Sequence, residues 1–522
     1  MNLKILDCTL RDGGYCNDWK FGKENKKRII SSLVNAKVDI IECGYVTNKV
    51  EYNEDSTKYT KFSQIDACIP ISKDAQKYVV MINYGEYQSD EIPLCAETKI
   101  DGIRVAFHKK NMKPAMEFCS ELKRKGYLIF VQPMVTLNYD NKEFVDLLKE
   151  VTKLTPYAFY IVDSFGTMKP SDVLHYFDLI KKNLDNSINV GFHSHNNMQL
   201  ALLNAECIMN ASAEHKFIVD SSIYGMGRGA GNLNTELLLN EVNGKINEKY
   251  LVKPLLICMD EIIHRFYKEK PWGYSLPNYL SAIHMVHPNY AIYLSEKNTL
   301  TVDAIDDIFS KIEADKAMEF DADYIENLYL EYMSQGCIYQ RRMDEIKKKI
   351  KNKRLLIIAP GKSTCTEDQK IKDYIHKEKP IVISVNHEYA DANVDYVFVS
   401  NMRRFKQIPG SVYSKIIATS NINSKEVHAI VKYYSLINPV QSVRDNSGLM
   451  AIRLFMNLGV NSICLAGYDG YDYLEKNNYE NIEMSLIMDK EHMDLLNKGM
   501  KIVLDEYQKE CNLEFLTTSR FA

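Results

Sequence analysis

The stretch 3-LKILDCTLRDGGY-15 is the starting point for the fold of the first half of the chain. A short apolar run ends there in an arginine, an aspartate and two glycines. Helical stretches with a period of 3.6 residues, such as 24-ENKKRIISSLVNA-36 and 142-KEFVDLLKEVTKL-154, separate this run from seven further apolar runs. Alternation of eight strands with helices over about 240 residues predicts a parallel (β/α)8 TIM barrel. The predicted strands lie in 3-LKIL-6, 38-VDIIECG-44, 78-YVVMIN-83, 100-IDGIRVAF-107, 127-YLIFVQPMV-135, 158-AFYIVD-163, 188-INVGFH-193 and 216-KFIVDSSIYG-225.

The 522 residues are too many for one ordinary domain, and the pattern changes twice along the chain. We assign the barrel to residues 1–245 and a helical extension with aromatic-rich connectors to residues 246–352. Strand-then-turn units restart at 354-RLLIIAPGKS-363, which predicts a Rossmann-like, doubly wound α/β domain over residues 353–522.

Composition excludes several classes of function. A net charge of −4 gives no global basic field for nucleic acid, and no run of about 18 apolar residues predicts a membrane span. The first residues lack the pattern of a signal peptide. Twelve cysteines occur without a CxxC pair, and several fall in predicted core strands, which is typical of reduced thiols. We therefore expect a cytoplasmic protein.

Polar residues gather where the predicted barrel strands end, which is where TIM barrels carry their chemistry. His193 and His195 are two apart on an extended strand, so their side chains point the same way. With Asp12 they form a facial ligand set for a divalent metal. An alternative is that the two histidines complete a buried polar network. Arg11 beside a metal is suited to stabilise an enolate, and a salt bridge to Glu42 is compatible with that role.

Three motifs, 6-LDCTLRDGGY-15, 193-HSHNN-197 and 228-RGAGN-232, resemble those of the DRE-TIM metallolyase (HMG-CoA lyase-like) family. That family includes 4-hydroxy-2-oxovalerate aldolase, hydroxymethylglutaryl-CoA lyase and isopropylmalate synthase, and the resemblance covers about residues 1 to 300. It is closest to the aldolase branch. The resemblance implies a divalent metal, Mn²⁺ or Mg²⁺, on Asp12, His193 and His195, and an enolate stabilised by Arg11 with Glu42 as its partner.

The same resemblance places two further residues on the substrate side. Ser164, in 163-DSFGTMKP-170, matches a substrate-side residue of the aldolases, and Asn232 matches an asparagine at or near the metal. One position departs from the family, because the acid–base histidine expected three residues after the metal aspartate is Tyr15. A free phenol has a pKa of ~10, so Tyr15 needs help from the metal or from Arg11 to move a proton.

These residues predict a metal-dependent aldolase that makes or cleaves a C–C bond between a pyruvate-type enolate and an aldehyde. One alternative is an acyl-CoA-dependent condensing enzyme of the same family, and another is a glycosyltransferase-like protein acting through its C-terminal domain. A non-catalytic protein that retains the metal site and a two-His, one-carboxylate iron oxygenase complete the alternatives. A carboxyltransferase is disfavoured because the fifth strand, FVQPMVT, contains no lysine for carboxylation.

Polar strand ends in the C-terminal domain predict a small-molecule pocket at one edge of its sheet. Spaced motifs there loosely resemble bacterial sialyltransferase-like and motility-accessory-type proteins. This implies a nucleotide or nucleotide-sugar ligand, and a sugar-related substrate for the barrel. The residues that carry the resemblance are Gly361, Ser363, Asn386, Ser447, Gly448 and Asp469.

The stretch 271-PWGYSLPNYLSAIHMVHPNY-290 is rich in aromatic residues. We interpret its Tyr274, Tyr279, His287 and Tyr290 as packing between helices, the alternative being that they reach the barrel mouth. The same segment is a candidate interface for a homo-oligomer.

Overall fold

A computed structural model describes residues 3–70, 75–211, 215–245, 249–334, 342–390, 392–422, 424–486 and 488–522. These form two compact units, the first comprising residues 1–292 and 317–320 and the second residues 293–316 and 321–522. The predicted boundary at residue 246 falls within 246–248, outside the described residues.

The first unit contains a closed barrel of eight parallel strands, which confirms the TIM-barrel prediction. Leu6 and Asp7 in the first strand pair with Ile40 and Ile41 in the second, which closes the ring, and a two-residue strand, Lys58–Tyr59, pairs outside it. The barrel strands are β1 (Leu3–Asp7), β2 (Ile40–Val46), β3 (Lys77–Asn83), β4 (Gly102–Phe107), β5 (Leu128–Pro133), β6 (Ala158–Asp163), β7 (Asn189–Ser194) and β8 (Phe217–Ser221).

Helices surround this barrel, and their apolar faces pack against the outer faces of the strands. Inside the barrel a second apolar cluster, which includes Leu6, Ile40, Phe130 and Ile218, fills the space beneath the mouth. The helices of this unit are Thr9–Asp12, Gly14–Asn17, Lys23–Asn35, Phe62–Asp66, Met112–Arg124, Asn141–Leu154, Pro170–Asn183, Ala201–Asn210, Thr235–Lys245, Lys253–Cys258, His264–Glu269 and Leu276–Ile283, and Pro288–Glu296 continues into the second unit.

The second unit contains an all-parallel sheet of seven strands, as predicted for a doubly wound domain. Its strands are β9 (Leu355–Ile358), β10 (Ile381–Val385), β11 (Tyr396–Val399), β12 (Ile416–Thr419), β13 (Ala429–Val431), β14 (Ser462–Ala466) and β15 (Asn512–Phe515). Their order is β13-β12-β11-β10-β9-β14-β15, so the chain reverses its direction across the sheet beside β9. Ligands of such sheets bind at this reversal, beyond the carboxyl ends of the strands.

Sequence patterns did not predict β13 or β15, the two edge strands of this sheet. The helices of the second unit are Val302–Phe309, Ala322–Ser334, Met343–Ile350, Ser363–Thr366, Asp368–Glu378, Met402–Gln407, Ser447–Asn457 and Lys490–Tyr507.

The cysteines of the described residues are free thiols, and Cys8, Cys43 and Cys464 are buried as predicted. Across the same residues, no helix has the length and apolar content needed to cross a bilayer.

Candidate metal centre and active site

Three side chains that could ligate a metal meet at the carboxyl ends of β1 and β7. Asp12 lies on the helical turn Thr9–Asp12 that follows β1, while His193 is the second-last residue of β7 and His195 directly follows the strand. One potential ligand atom from each residue lies within 4.8 Å of the other two, and all three residues are buried. The predicted ligand group is thus brought together by the fold.

The carboxylate of Asp12 is held by two neighbours. Arg11 Nη1 donates to Asp12 Oδ1 at 2.5 Å, and Asn232 Nδ2 donates to Asp12 Oδ2 at 2.7 Å. Burial alone would raise the pKa of Asp12, but the charge of Arg11 and the neighbouring histidines hold it well below its ordinary value. Asp12 is therefore an anion, which is the state a metal ligand requires.

Unsatisfied polar atoms around Asp12 fit a metal ion. Nδ1 of His195 lies 3.8 Å from Asp12 Oδ2, and burial lowers the pKa of His195 to about 3, which keeps the ring neutral. Neither His195 Nδ1 nor Asn232 Oδ1 has a hydrogen-bond partner among the described residues, although both atoms are buried. Buried polar atoms without partners are costly, and coordination to a cation would satisfy them.

A chain of ion pairs lies beneath this ligand group. Arg11 Nε donates to Glu42 Oε2 at 2.9 Å, which is the salt bridge anticipated from the sequence. Arg104 Nη1 donates to the same oxygen at 2.7 Å, and its Nη2 pairs with Asp220. Asp220 Oδ2 in turn lies 3.0 Å from His193 Nδ1. A carboxylate on one ring nitrogen orients the histidine and leaves the other nitrogen for a metal.

Glu42 is 1% exposed and accepts hydrogen bonds from two arginines, so it positions Arg11. Arg104 and Asp220 were not singled out from the sequence. Their signal was a charged residue in the middle of an apolar strand, in 100-IDGIRVAF-107 and 216-KFIVDSSIYG-225.

The loop after β8 packs tightly against the ligand group. A Cβ atom added at Gly227 would lie 2.3 Å from Asn232 Nδ2 and 2.8 Å from Asp12 Oδ2, so no side chain fits there. Gly225, Gly229 and Gly231 all have positive φ, which favours glycine. The loop is therefore a packed turn that brings Asn232 to Asp12.

Tyr15 and Ser164 lie on either side of the mouth. Tyr15 is 36% exposed, and its ring meets Trp19 edge-on with centroids 4.6 Å apart. Ser164 is buried, and its hydroxyl accepts a hydrogen bond from the backbone N–H of Val135 at 2.9 Å. The side chain of Arg228 connects the two, because its Nη2 donates to Ser164 O at 2.9 Å and its guanidinium carbon lies 5.7 Å from the centre of the Tyr15 ring.

Asp163, next to Ser164, has a structural role. Its carboxylate accepts hydrogen bonds from the backbone N–H groups of Thr167 and Met168 at 2.9 and 3.1 Å. Burial raises the pKa of Asp163 to about 7, and these hydrogen bonds act in the opposite direction. Asp163 thereby fixes the turn that carries Ser164.

The aromatic segment after the barrel contributes mostly packing. Tyr290 is buried and donates to Glu319 O at 2.8 Å, while Tyr274 is 61% exposed. His287 is partly buried, and burial together with the charge of Arg228 lowers its pKa to about 3.

Comparison with known proteins agrees with this geometry. Residues 2–253 match the HMGL-like family. This match supports the DRE-TIM metallolyase family for the barrel. Members of this HMGL-like family use a divalent metal, and the barrel is that of an aldolase- or lyase-type enzyme acting on C–C bonds.

Two curated relatives of the barrel are named for different reactions. A 4-hydroxy-2-oxovalerate aldolase of Geobacillus genomosp. 3 is 28% identical over 241 residues, which are 45% of this chain and 69% of that protein. An oxaloacetate decarboxylase of Mycobacterium tuberculosis is 25% identical over 236 residues, which are 45% of this chain and 68% of that protein. Among solved structures, the HMG-CoA lyase of Brucella melitensis matches with 15% identity and a TM-score of 0.40, covering 51% of this chain and 97% of that one.

Proposed function

We propose that the barrel is a divalent-metal-dependent aldolase that makes or cleaves a C–C bond between a pyruvate-type enolate and an aldehyde. The observation that carries this proposal is the buried group of Asp12, His193 and His195 with Arg11 directly beside it. Asp12, His193 and His195 would hold Mn²⁺ or Mg²⁺, and Asn232 Oδ1 would offer a further oxygen ligand. When bound, the metal supplies Lewis-acid polarisation of the keto oxygen.

Arg11 is arranged to stabilise negative charge on a substrate oxygen. Its Nε and Nη1 are committed to Glu42 and Asp12, whereas its buried Nη2 has no partner among the described residues. That remaining N–H group can donate to an enolate oxygen without any rearrangement of the side chain. A donor that is already oriented stabilises developing charge at little reorganisation cost.

Tyr15 is the proposed proton carrier. It stands three residues after Asp12, is partly exposed, and is held by Trp19 on one side and by Arg228 on the other. In the cleavage direction the phenolate would take the hydroxyl proton of the substrate, and in the condensation direction the phenol would return it.

Exchange of the pyruvate methyl hydrogens for deuterium tests enolate formation before any aldehyde is known. We expect proton NMR to show exchange with Mn²⁺ present and none after chelation. Asp12→Asn should abolish the exchange, and Asp178→Asn, on an exposed helix face of the same unit, is the matched control. Absence of exchange with every divalent metal would reject pyruvate aldolase chemistry.

Two further assays identify the aldehyde and distinguish an aldolase from an acyl-CoA-dependent condensing enzyme. Sugar-derived aldehydes are the first acceptors to screen, because the C-terminal resemblance suggests a glycan context. An acyl-CoA-dependent condensing enzyme would instead release free CoA thiol when given an acyl-CoA and a 2-oxo acid.

A second candidate function concerns the second unit, for which we propose a nucleotide or nucleotide-sugar site. One cavity there is lined by five of the six residues that carry the C-terminal resemblance; Ser363 is not among its lining residues and instead bonds to Asp469. The cavity lies beyond the carboxyl ends of β9, β10 and β14, beside the start of the helix Ser447–Asn457. The five lining residues are Gly361, Asn386, Ser447, Gly448 and Asp469.

Titration calorimetry of the full chain with nucleoside mono- and diphosphates tests this site. Asn386→Asp adds a negative charge to the cavity at nearly constant volume and should weaken binding of phosphates. Asn352→Asp is the control, because Asn352 also has positive φ but is exposed and does not line the cavity. Equal affinity in both variants, or no binding of any nucleotide, would reject the proposal.

A further inference from the structure

Arg228 is a cation at the barrel mouth that lacks an acidic partner. It is partly buried, and one N–H of its guanidinium donates to the backbone carbonyl of Ser164. Among the described residues, no carboxylate lies within 4.0 Å of its side-chain nitrogens. The other two arginines of the site, Arg11 and Arg104, each bind two carboxylates. Arg228 is therefore the exception among the arginines around this site.

The backbone fixes Arg228 beside the ligand group. Gly227, directly before it, packs on Asp12 and Asn232. Gly229, directly after it, has φ of +66° and packs on the side chain of Asn197. Because the loop is packed on both sides of Arg228, the backbone of this arginine has a defined position, unlike that of an arginine on a solvated turn.

The surroundings of the guanidinium are two groups of the substrate side, the Tyr15 ring and the Ser164 carbonyl. Neither neutralises its charge. The nearby His287 is partly buried, and burial and the charge of Arg228 lower its pKa, so it does not supply a second cation beside Arg228. A guanidinium presents a planar fork of donors that matches a carboxylate or a phosphate, and most of those donors are uncommitted here.

We propose that Arg228 binds an anionic group of the substrate, a carboxylate or a phosphate, at the mouth of the barrel. This inference rests on the proposed aldolase function and adds the charge of the substrate to it. Two sources provide the same chemistry: the carboxylate of the 2-oxo acid, and an acidic group carried by the aldehyde. In either case Arg228 is a specificity-determining residue. Removing its charge should weaken the binding of the anionic substrate and leave the binding of neutral aldehydes unaffected.

Two assays distinguish the sources, using Arg228→Gln, Arg228→Lys and the exposed control Arg124→Gln. If Arg228 binds the 2-oxo acid, Arg228→Gln should raise the KM for pyruvate in the deuterium-exchange assay by about tenfold or more, because a charge-assisted hydrogen bond is lost. If it binds the aldehyde, pyruvate exchange should stay unchanged. The preference for glycolaldehyde phosphate over glycolaldehyde should then fall by about tenfold. Arg228→Lys should retain part of either effect.

Direct binding keeps this test independent of turnover. Calorimetric titration of the Mn²⁺-loaded protein with pyruvate and with glycolaldehyde phosphate should show weaker binding of one anion in Arg228→Gln, with normal tryptophan fluorescence as the check on folding. If the wild type shows no deuterium exchange but Arg228→Gln binds the anion more weakly than the wild type does, the role of Arg228 in anion binding is supported and the aldolase proposal is rejected. Unchanged affinities, KM values and aldehyde preference in Arg228→Gln would overturn the inference.

Discussion

Removing the charge of Arg104 should destabilise the barrel and disorder the candidate metal site together. Arg104 is fully buried in β4 and donates to Glu42 Oε2 at 2.7 Å while also pairing with Asp220. Arg104→Met keeps most of the apolar volume of the side chain and removes both ion pairs. Two buried carboxylates are then left without the cation that neutralises them.

The expected cost is about 3–5 kcal/mol in the free energy of unfolding, the range for deleting one partner of a buried pair. Two carboxylates lose a partner here, so we expect the upper part of that range. Each carboxylate keeps one other contact, Glu42 with Arg11 and Asp220 with His193. Those contacts prevent the two losses from adding in full.

Tryptophan fluorescence allows the barrel to be followed separately from the rest of the chain. The protein has two tryptophans, Trp19 and Trp272, and both belong to the first unit. Urea titration with selective tryptophan excitation should show a lower midpoint in Arg104→Met with an unchanged slope. Arg124→Met, on an exposed helix position of the same unit, should stay within about 0.5 kcal/mol of wild type.

A second criterion is how the loss of unfolding free energy in Arg104→Met, relative to wild type, depends on pH. Burial works to raise the pKa of Asp220, but Arg104 and His193 lower it below its ordinary value. A depressed pKa contributes stability above the unfolded pKa of ~3.9 that is lost as pH falls through the folded pKa. Without Arg104 the folded pKa rises, so the deficit should be largest near ~pH 7 and shrink toward ~pH 4. A deficit below about 1 kcal/mol, or one independent of pH, would refute the reasoning.

Three further changes test the site itself. Asp12→Asn should weaken Mn²⁺ binding by about 100-fold or more, measured by calorimetry, since it removes the only anionic member of the ligand group; unchanged affinity would contradict the assignment. Tyr15→Phe should slow methyl exchange or aldol turnover by about 100-fold while leaving Mn²⁺ affinity unchanged, and a normal rate would remove the phenol from the mechanism. Gly227→Ala forces a Cβ against Asn232 and should lower turnover by about 100-fold. Gly244→Ala, whose Cβ would have no heavy atom within 4 Å, is its control and should not change turnover.

The architecture of the barrel could be predicted because its strands are buried on both faces. Such strands are continuous apolar runs, and each of the eight runs proposed from the sequence overlaps one barrel strand. The edge strands β13 and β15 gave no such signal. β13 has three residues, and β15, with the sequence NLEF, is apolar at only two positions and mostly not buried.

The ligand group could be anticipated because its chemistry is local, whereas the ion pairs beneath it are not. His193 and His195 share one strand, and Arg11 adjoins Asp12. Arg104, in contrast, pairs with residues 62 and 116 positions away, and each of them lies on a different strand. A charge in an apolar run shows that a partner exists but does not identify it. The same applies to Gly227. The sequence does not show that this position has no room for a side chain, because Asn232 and Asp12 fill that space only in the folded barrel.

The charges around the site explain why its parts belong together. Asp12, Glu42 and Asp220 contribute three negative charges, and the two arginines that pair with them, Arg11 and Arg104, contribute two positive ones, so this ion-paired group by itself carries one negative charge. A divalent cation on that group would reverse the sign to one positive charge, which suits the negative oxygen of an enolate better than the uncharged carbonyl oxygen from which it forms. Because the arginines are held by buried carboxylates, their positions do not depend on the substrate. The site is thereby organised for the charge that develops during the reaction.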